Sequence, residues 1–162
     1  MPASIVLPKL LPMRILVDAD ACPVKGEVYK VAKRYGVSVT LVSNSWMRVP
    51  TESWIELVVV KEEGSLDDAD HWIVEQATEV DIAVTEDIIL AGRCLEKGAY
   101  ALSPRGRVFT SESIGEALAT RELMAGLREM GEITGGPRPF DKRDRSTFLQ
   151  RLDEAVHVIR RR

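Results

Sequence analysis

Arg14-Ile-Leu-Val-Asp18-Ala-Asp20-Ala-Cys22-Pro23 is the stretch that decides the fold. An apolar run closed by a polar turn reads as a short buried strand. Pro23 suits the first turn of a helix, where its missing N–H leaves no bond unmade. Apolar Val24, Val28, Val31 and Ala32 then recur at helical spacing until Gly36, a residue type suited to ending a helix. A buried strand running straight into a helix, with two acids in the turn between, opens an alternating strand–helix fold.

The rest of the chain repeats that alternation. A β-branched second strand is expected at Val37 to Val42, leaving through the polar loop Ser43-Asn44-Ser45. A third is expected at Glu56 to Val60. Gly64 to Asp70 opens a helix with acids in its first turn, where the helix dipole favours them, and the helix runs to Ala77. Asp81 to Thr85 reads as the fourth strand, Glu86 to Lys97 as a helix closed by Gly98, and Ala99 to Leu102 as a short fifth strand. Two helices complete the reading, Ser111 to Met130 and Ser146 to Ile159, separated by a loop from Gly131 to Arg145 rich in Gly, Pro and charge. The last helix carries Phe148, Leu149, Leu152, Val156 and Ile159 on one stripe. The fold class is therefore α/β: a mostly parallel sheet of about five strands with right-handed crossovers.

The 162 residues suit one domain, and 45% hydrophobic with 29% charged residues is an ordinary globular mix. No apolar run approaches the roughly 20 residues that cross a membrane. Residues 1–12 are apolar but broken by Pro2, Pro8 and Pro12, and they lack a basic n-region, so a signal peptide is not expected. They read as a flexible extension, with Met13 as an alternative start and 13–162 as the domain. Two cysteines without C-x-x-C spacing point to a reduced, cytoplasmic setting. Net charge is -3 and unevenly spread. Residues 1–100 are acidic and suit a cation, whereas residues 101–162 are basic and suit an anion such as phosphate.

Ligands of open α/β sheets bind beyond the carboxyl ends of the strands. The five strand exits carry, in order, Asp18 and Asp20; Ser43 and Asn44; Asp67, Asp68 and Asp70; Thr85, Glu86 and Asp87; Ser103, Arg105 and Arg107. Carboxylates gathered on one edge raise each other's pKa values until a cation neutralises them. Mg²⁺ and Mn²⁺ take such oxygen ligands, and the reaction class that follows is metal-assisted phosphodiester hydrolysis. Asp18, Asp67, Asp70 and Asp87 are the candidate metal ligands, with Asp18, Asp20, Asp70 and Asp87 as catalytic candidates. Asn44, Thr85, Arg105, Arg107, Arg138 and Arg145 are the candidates for holding substrate. The competing reading of the acids is structural, as helix caps and first-turn charges. Cys22 sits near a helix start, which lowers a thiol pKa, but no histidine is placed to serve it as a base, so a structural thiol is expected. The Trp, Leu and Val stripes read as core.

Five motifs occur together and in order. They are Val17-Asp-Ala-Asp-Ala-Cys-Pro23, Asp67-Asp-Ala-Asp-His-Trp-Ile73, Thr85-Glu-Asp87, Ser103-Pro-Arg-Gly106, and Thr134-Gly-Gly-Pro-Arg-Pro-Phe140 with Asp144-Arg145. The combination resembles the YaiI/YqxD family of uncharacterised bacterial proteins over nearly the whole chain. The resemblance implies a three-layer PIN-like fold, related to the NYN group of presumed RNA-processing nucleases. It implies Asp18, Asp67 or Asp70, and Asp87 as ligands of Mg²⁺ or Mn²⁺, with RNA as substrate and DNA as a second possibility. Two other functions compete: a non-catalytic RNA- or protein-binding module, and a haloacid-dehalogenase-type phosphatase suggested by Asp18-x-Asp20. In the latter, Cys22 stands where Thr or Val is usual.

Overall fold

A computed structural model describes residues 12–60, 68–132 and 138–162. It contains one six-stranded sheet. The strands are β1 (Arg14–Asp18), β2 (Ser38–Ser43), β3 (Ile55–Val59), β4 (Asp81–Val84), β5 (Tyr100–Leu102) and β6 (Val108–Phe109). The helices are α1 (Lys25–Tyr35), α2 (Asp68–Gln76), α3 (Ile88–Glu96), α4 (Ser111–Glu129) and α5 (Lys142–Arg160). The spatial order is β3-β2-β1-β4-β5-β6. The first five strands pair in parallel and β6 runs antiparallel to β5. The exits of the five parallel strands therefore share one edge, and the chain order reverses beside β1.

Alternation along β1 sorts the two faces. Ile15 and Val17 join Val39, Leu41, Ile82 and Val84 beneath α1 and α5, whose Val28, Val31, Phe148, Leu152 and Val156 close that side. Leu16 faces the other way, with Val42 and Ala83, against Ala69 and Ile73 of α2 and Leu90 and Cys94 of α3. The result is a three-layer α/β domain, an architecture compatible with a PIN-like domain. α4 stands apart: it packs mainly on α3 and buries none of its residues.

Sequence and structure part at three places. β6 has no counterpart in the sequence reading, because two residues after a turn are too few to show a period. α5 starts at Lys142, inside the stretch expected to be loop. There Asp141 accepts from the Arg143 and Asp144 N–H groups, and Asp144 reaches back to the Asp141 N–H, a reciprocal cap that turns a charged run into a helix start. Trp46 lies outside the core at 74% exposure. The expectations for Asp67, for the Thr134–Pro137 part of the glycine-rich loop and for residues 1–11 of the extension fall outside the described residues.

Candidate functional site

Strand β1 delivers Asp18 to the sheet edge between β2 and β4. The buried hydroxyl of Thr85 donates to Asp18 Oδ2 at 2.9 Å and accepts the Asp87 N–H at 3.0 Å. Thr85 was expected to face substrate, but it is only 1% exposed and its hydroxyl ties Asp18 to the turn that carries Asp87. Asp87 caps α3, with Oδ1 accepting from the Ile89 and Leu90 N–H groups. Both oxygens of Asp20 are engaged by the β2 exit. Ser43 Oγ donates to Oδ1 at 2.6 Å, and the Asn44 N–H donates to Oδ2 at 3.1 Å. Asn44 thus enters through its backbone.

The Asp18 carboxyl is pushed above the ordinary carboxylate range. Burial is the chief cause; the bond from Thr85 opposes it, and the charges of Asp20 and Asp87 add to it. Two acids from the neighbouring turns, Asp20 and Asp87, thus act on Asp18. Asp70, on α2, acts on Cys94 of α3, whose thiol burial pushes up to about 12. Among the described residues, no group of three or more His, Cys, Asp and Glu side chains is arranged to hold one metal ion. Two carboxylate oxygens at the edge, Asp18 Oδ1 and Asp87 Oδ2, accept no hydrogen bond from any described residue.

Cys22 is buried, and its thiol is pushed up, first by desolvation. The lowering expected from a nearby helix start is outweighed, because a thiolate there would lose its water.

Beyond β5, the chain turns at Ser103-Pro104-Arg105-Gly106, closed by Gly106 N–H to Ser103 O at 2.9 Å. The turn overhangs a cleft of about 550 Å³, bordered by Glu86 and Ile88 on either side of Asp87. The arginines there divide. Arg105 and Arg138 both grip Asp144, at 3.1 and 2.7 Å, and Arg138 holds the Asp144 carboxyl below its usual range. Arg145 lies on α5, bonded to Pro23 O at 2.8 Å and stacked over Phe140 at 5.1 Å. Lys142, Arg143 and Arg145, expected in a loop, thus lie in a helix start, and three of the four candidate substrate arginines are internally engaged. The side chain of Arg107 makes no ion pair among the described residues; it is exposed, and it borders both this cleft and a second of about 510 Å³ that reaches Arg121.

Sequence reasoning missed the segment after β2. Trp46, Arg48 and Pro50 are exposed, while Met47 and Val49 are partly buried against the main core. That alternation is legible in the sequence, whereas residue type alone places the tryptophan in the core.

A family model described as the uncharacterised YaiI/YqxD family matches residues 16–158, well over half of the chain. The chain belongs to this family. Curated relatives agree. A "UPF0178 protein" of Rhodopseudomonas palustris (strain ATCC BAA-98 / CGA009) is 56% identical over 149 residues, covering 92% of this chain and 93% of its own length. Those of Nitrobacter winogradskyi and Paramagnetospirillum magneticum are 52% and 53% identical, covering 92% and 91% of this chain and 94% and 97% of their own. No solved structure matches significantly. Membership fixes the family without fixing an activity, which has to be argued from the edge of the sheet. Among the described residues, no helix is long and apolar enough to cross a membrane.

Proposed function

We propose that the protein is a metal-dependent nuclease of PIN-like fold that hydrolyses RNA at the Asp18 edge of its sheet. The observation that carries this reading is the raised pKa of Asp18, a half-buried carboxylate with two others acting on it. Such an arrangement is unfavourable without a compensating charge, and perturbed carboxylates cluster at functional sites. The donor set fits a hydrated hard cation. Mg²⁺ is commonly held by one or two carboxylates plus water, and Asp18 and Asp87 each offer one open oxygen. When bound, Mg²⁺ or Mn²⁺ would supply a Lewis acid to the phosphodiester.

The chain's own residues do the rest. Thr85 fixes the rotamer of Asp18 and its spacing from Asp87. Asp20, clamped by Ser43 and Asn44, keeps a further carboxylate beside Asp18. Arg107 offers its guanidinium to the phosphate backbone, a role in which two parallel N–H bonds are available. Arg105 and Arg138 shape the cleft through Asp144.

The test is calorimetric titration of Mg²⁺ and Mn²⁺ into wild type and Asp18→Asn, beside cleavage of labelled single-stranded RNA. Binding and cleavage should both disappear in the variant. A fully active Asp18→Asn protein would sink the proposal. The second reading is a non-catalytic RNA- or protein-binding module. It is favoured by the internal engagement of Asp20 and of one Asp87 oxygen, and RNA binding without cleavage in Mn²⁺ would select it.

A further inference from the structure

We infer that the extended segment after β2 is a nucleic-acid platform on which Trp46 stacks an unpaired base and Arg48 holds an adjoining phosphate. The inference rests on the nucleic-acid reading of the Asp18 edge and specifies the substrate: a strand that is single where it crosses that edge.

Three observations carry it. First, Trp46 is 74% exposed, the most exposed large apolar side chain among the described residues, and presents a broad indole face to a ligand. Second, its backbone is not loose. On one side Ser43 and Asn44 are bonded to Asp20, and on the other Met47 and Val49 pack on the core. The indole is therefore held outward by an anchored chain, which limits the entropy lost on stacking. Third, Arg48 is exposed on the same alternation and makes no ion pair among the described residues. An aromatic face interleaved with an uncommitted cation is the combination that binds single strands without reading sequence.

Placement adds a direction. Along the sheet edge the order is Trp46 after β2, Asp18 after β1, Asp87 after β4 and Arg107 beyond β5. At roughly 5 Å per strand step, the distance from the β2 exit to the β5 exit is roughly 15 Å. A short single strand laid across the edge would meet a stacking surface first, the carboxylates next and a second cation last. A duplex keeps its bases paired inside and offers none to the indole.

The experiment measures binding of a fluorescein-labelled oligouridylate, and of its duplex with oligoadenylate, to the full chain in EDTA. Wild type, Trp46→Ala, Trp46→Phe, Arg48→Ala and Arg107→Ala are compared across salt. Trp46→Ala should weaken single-strand binding about 5- to 100-fold, leaving the salt slope unchanged, and Trp46→Phe should restore most of it. Arg48→Ala should instead flatten the slope by about 0.7. Duplex binding should not respond to Trp46. If Trp46→Ala binds the single strand like wild type while Arg107→Ala weakens it, the platform is overturned and the nucleic-acid reading stands. If wild type binds neither probe, both fall together.

Discussion

Gly106 sits where the β5–β6 turn meets α5, and alanine there is the sharpest test of how the cleft is built. Its φ is +88°, and a Cβ placed on it would lie 2.6 Å from Thr147 Cγ2, 2.8 Å from the Thr147 carbonyl carbon and 2.9 Å from Phe148 N. Two of those three atoms are backbone and cannot rotate aside. The left-handed backbone alone costs a residue with a Cβ about 1–2 kcal/mol. Forcing extra volume into a packed contact adds about 1–3 kcal/mol. Gly106→Ala should therefore lose about 2–5 kcal/mol, a fall in Tm of roughly 4–20 °C for a domain of this size. Gly36→Ala is the control, because Gly36 has a φ of +66° and nothing within 4 Å of its built Cβ. It should show the backbone part alone, about 1–2 kcal/mol. Urea denaturation of the two variants measures the difference. Equal losses would refute the claim that the turn is pressed against the α5 backbone.

Two further outcomes follow from the carboxylates. The folded-state pKa of Asp18 is raised, so the folded protein binds this proton more tightly than the unfolded chain does, and stability is lost as pH climbs from the unfolded toward the folded pKa. Asp18→Asn should thus be more stable than wild type at neutral pH in EDTA, with the gain shrinking toward acid; a variant less stable at neutral pH would contradict the reading of Asp18 as a strained group. Asp144 has the opposite sign: its folded pKa is lowered, so its contribution is present above the unfolded value and lost as pH falls through the folded one. Asp144→Asn should destabilise at neutral pH and converge on wild type in acid, and an unchanged denaturation midpoint at neutral pH would remove Asp144 as the anchor of Arg105 and Arg138.

The sheet was legible because its signal is local. Ile15 to Val17 and Ile82 to Val84 are apolar runs, and Val39 to Val42 a β-branched one, all buried on both faces, and each helix between them carries a stripe at helical spacing. The acids at the strand exits followed from topology, since parallel strands bring successive exits to one edge. Side-chain partners did not follow. Nothing local says that Asp144 will occupy Arg105 across 39 positions, or that Thr85 will turn inward to Asp18 across 67. The early start of α5 was hidden for a related reason. Asp141 to Arg145 has loop-like composition, and only the reciprocal bonds of Asp141 and Asp144 make it a helix. Trp46 shows the converse error, where residue type outweighed a visible alternation.

Helix α4 buries none of its residues and leaves Leu123 61% and Met124 37% exposed. A segment that contributes so little to the interior also places few demands on it. Its C-terminal turns can be lengthened, trimmed or spliced to another polypeptide while the parallel strands, with Asp18 on β1, keep their register. In this chain, α4 is the natural attachment point for a fusion.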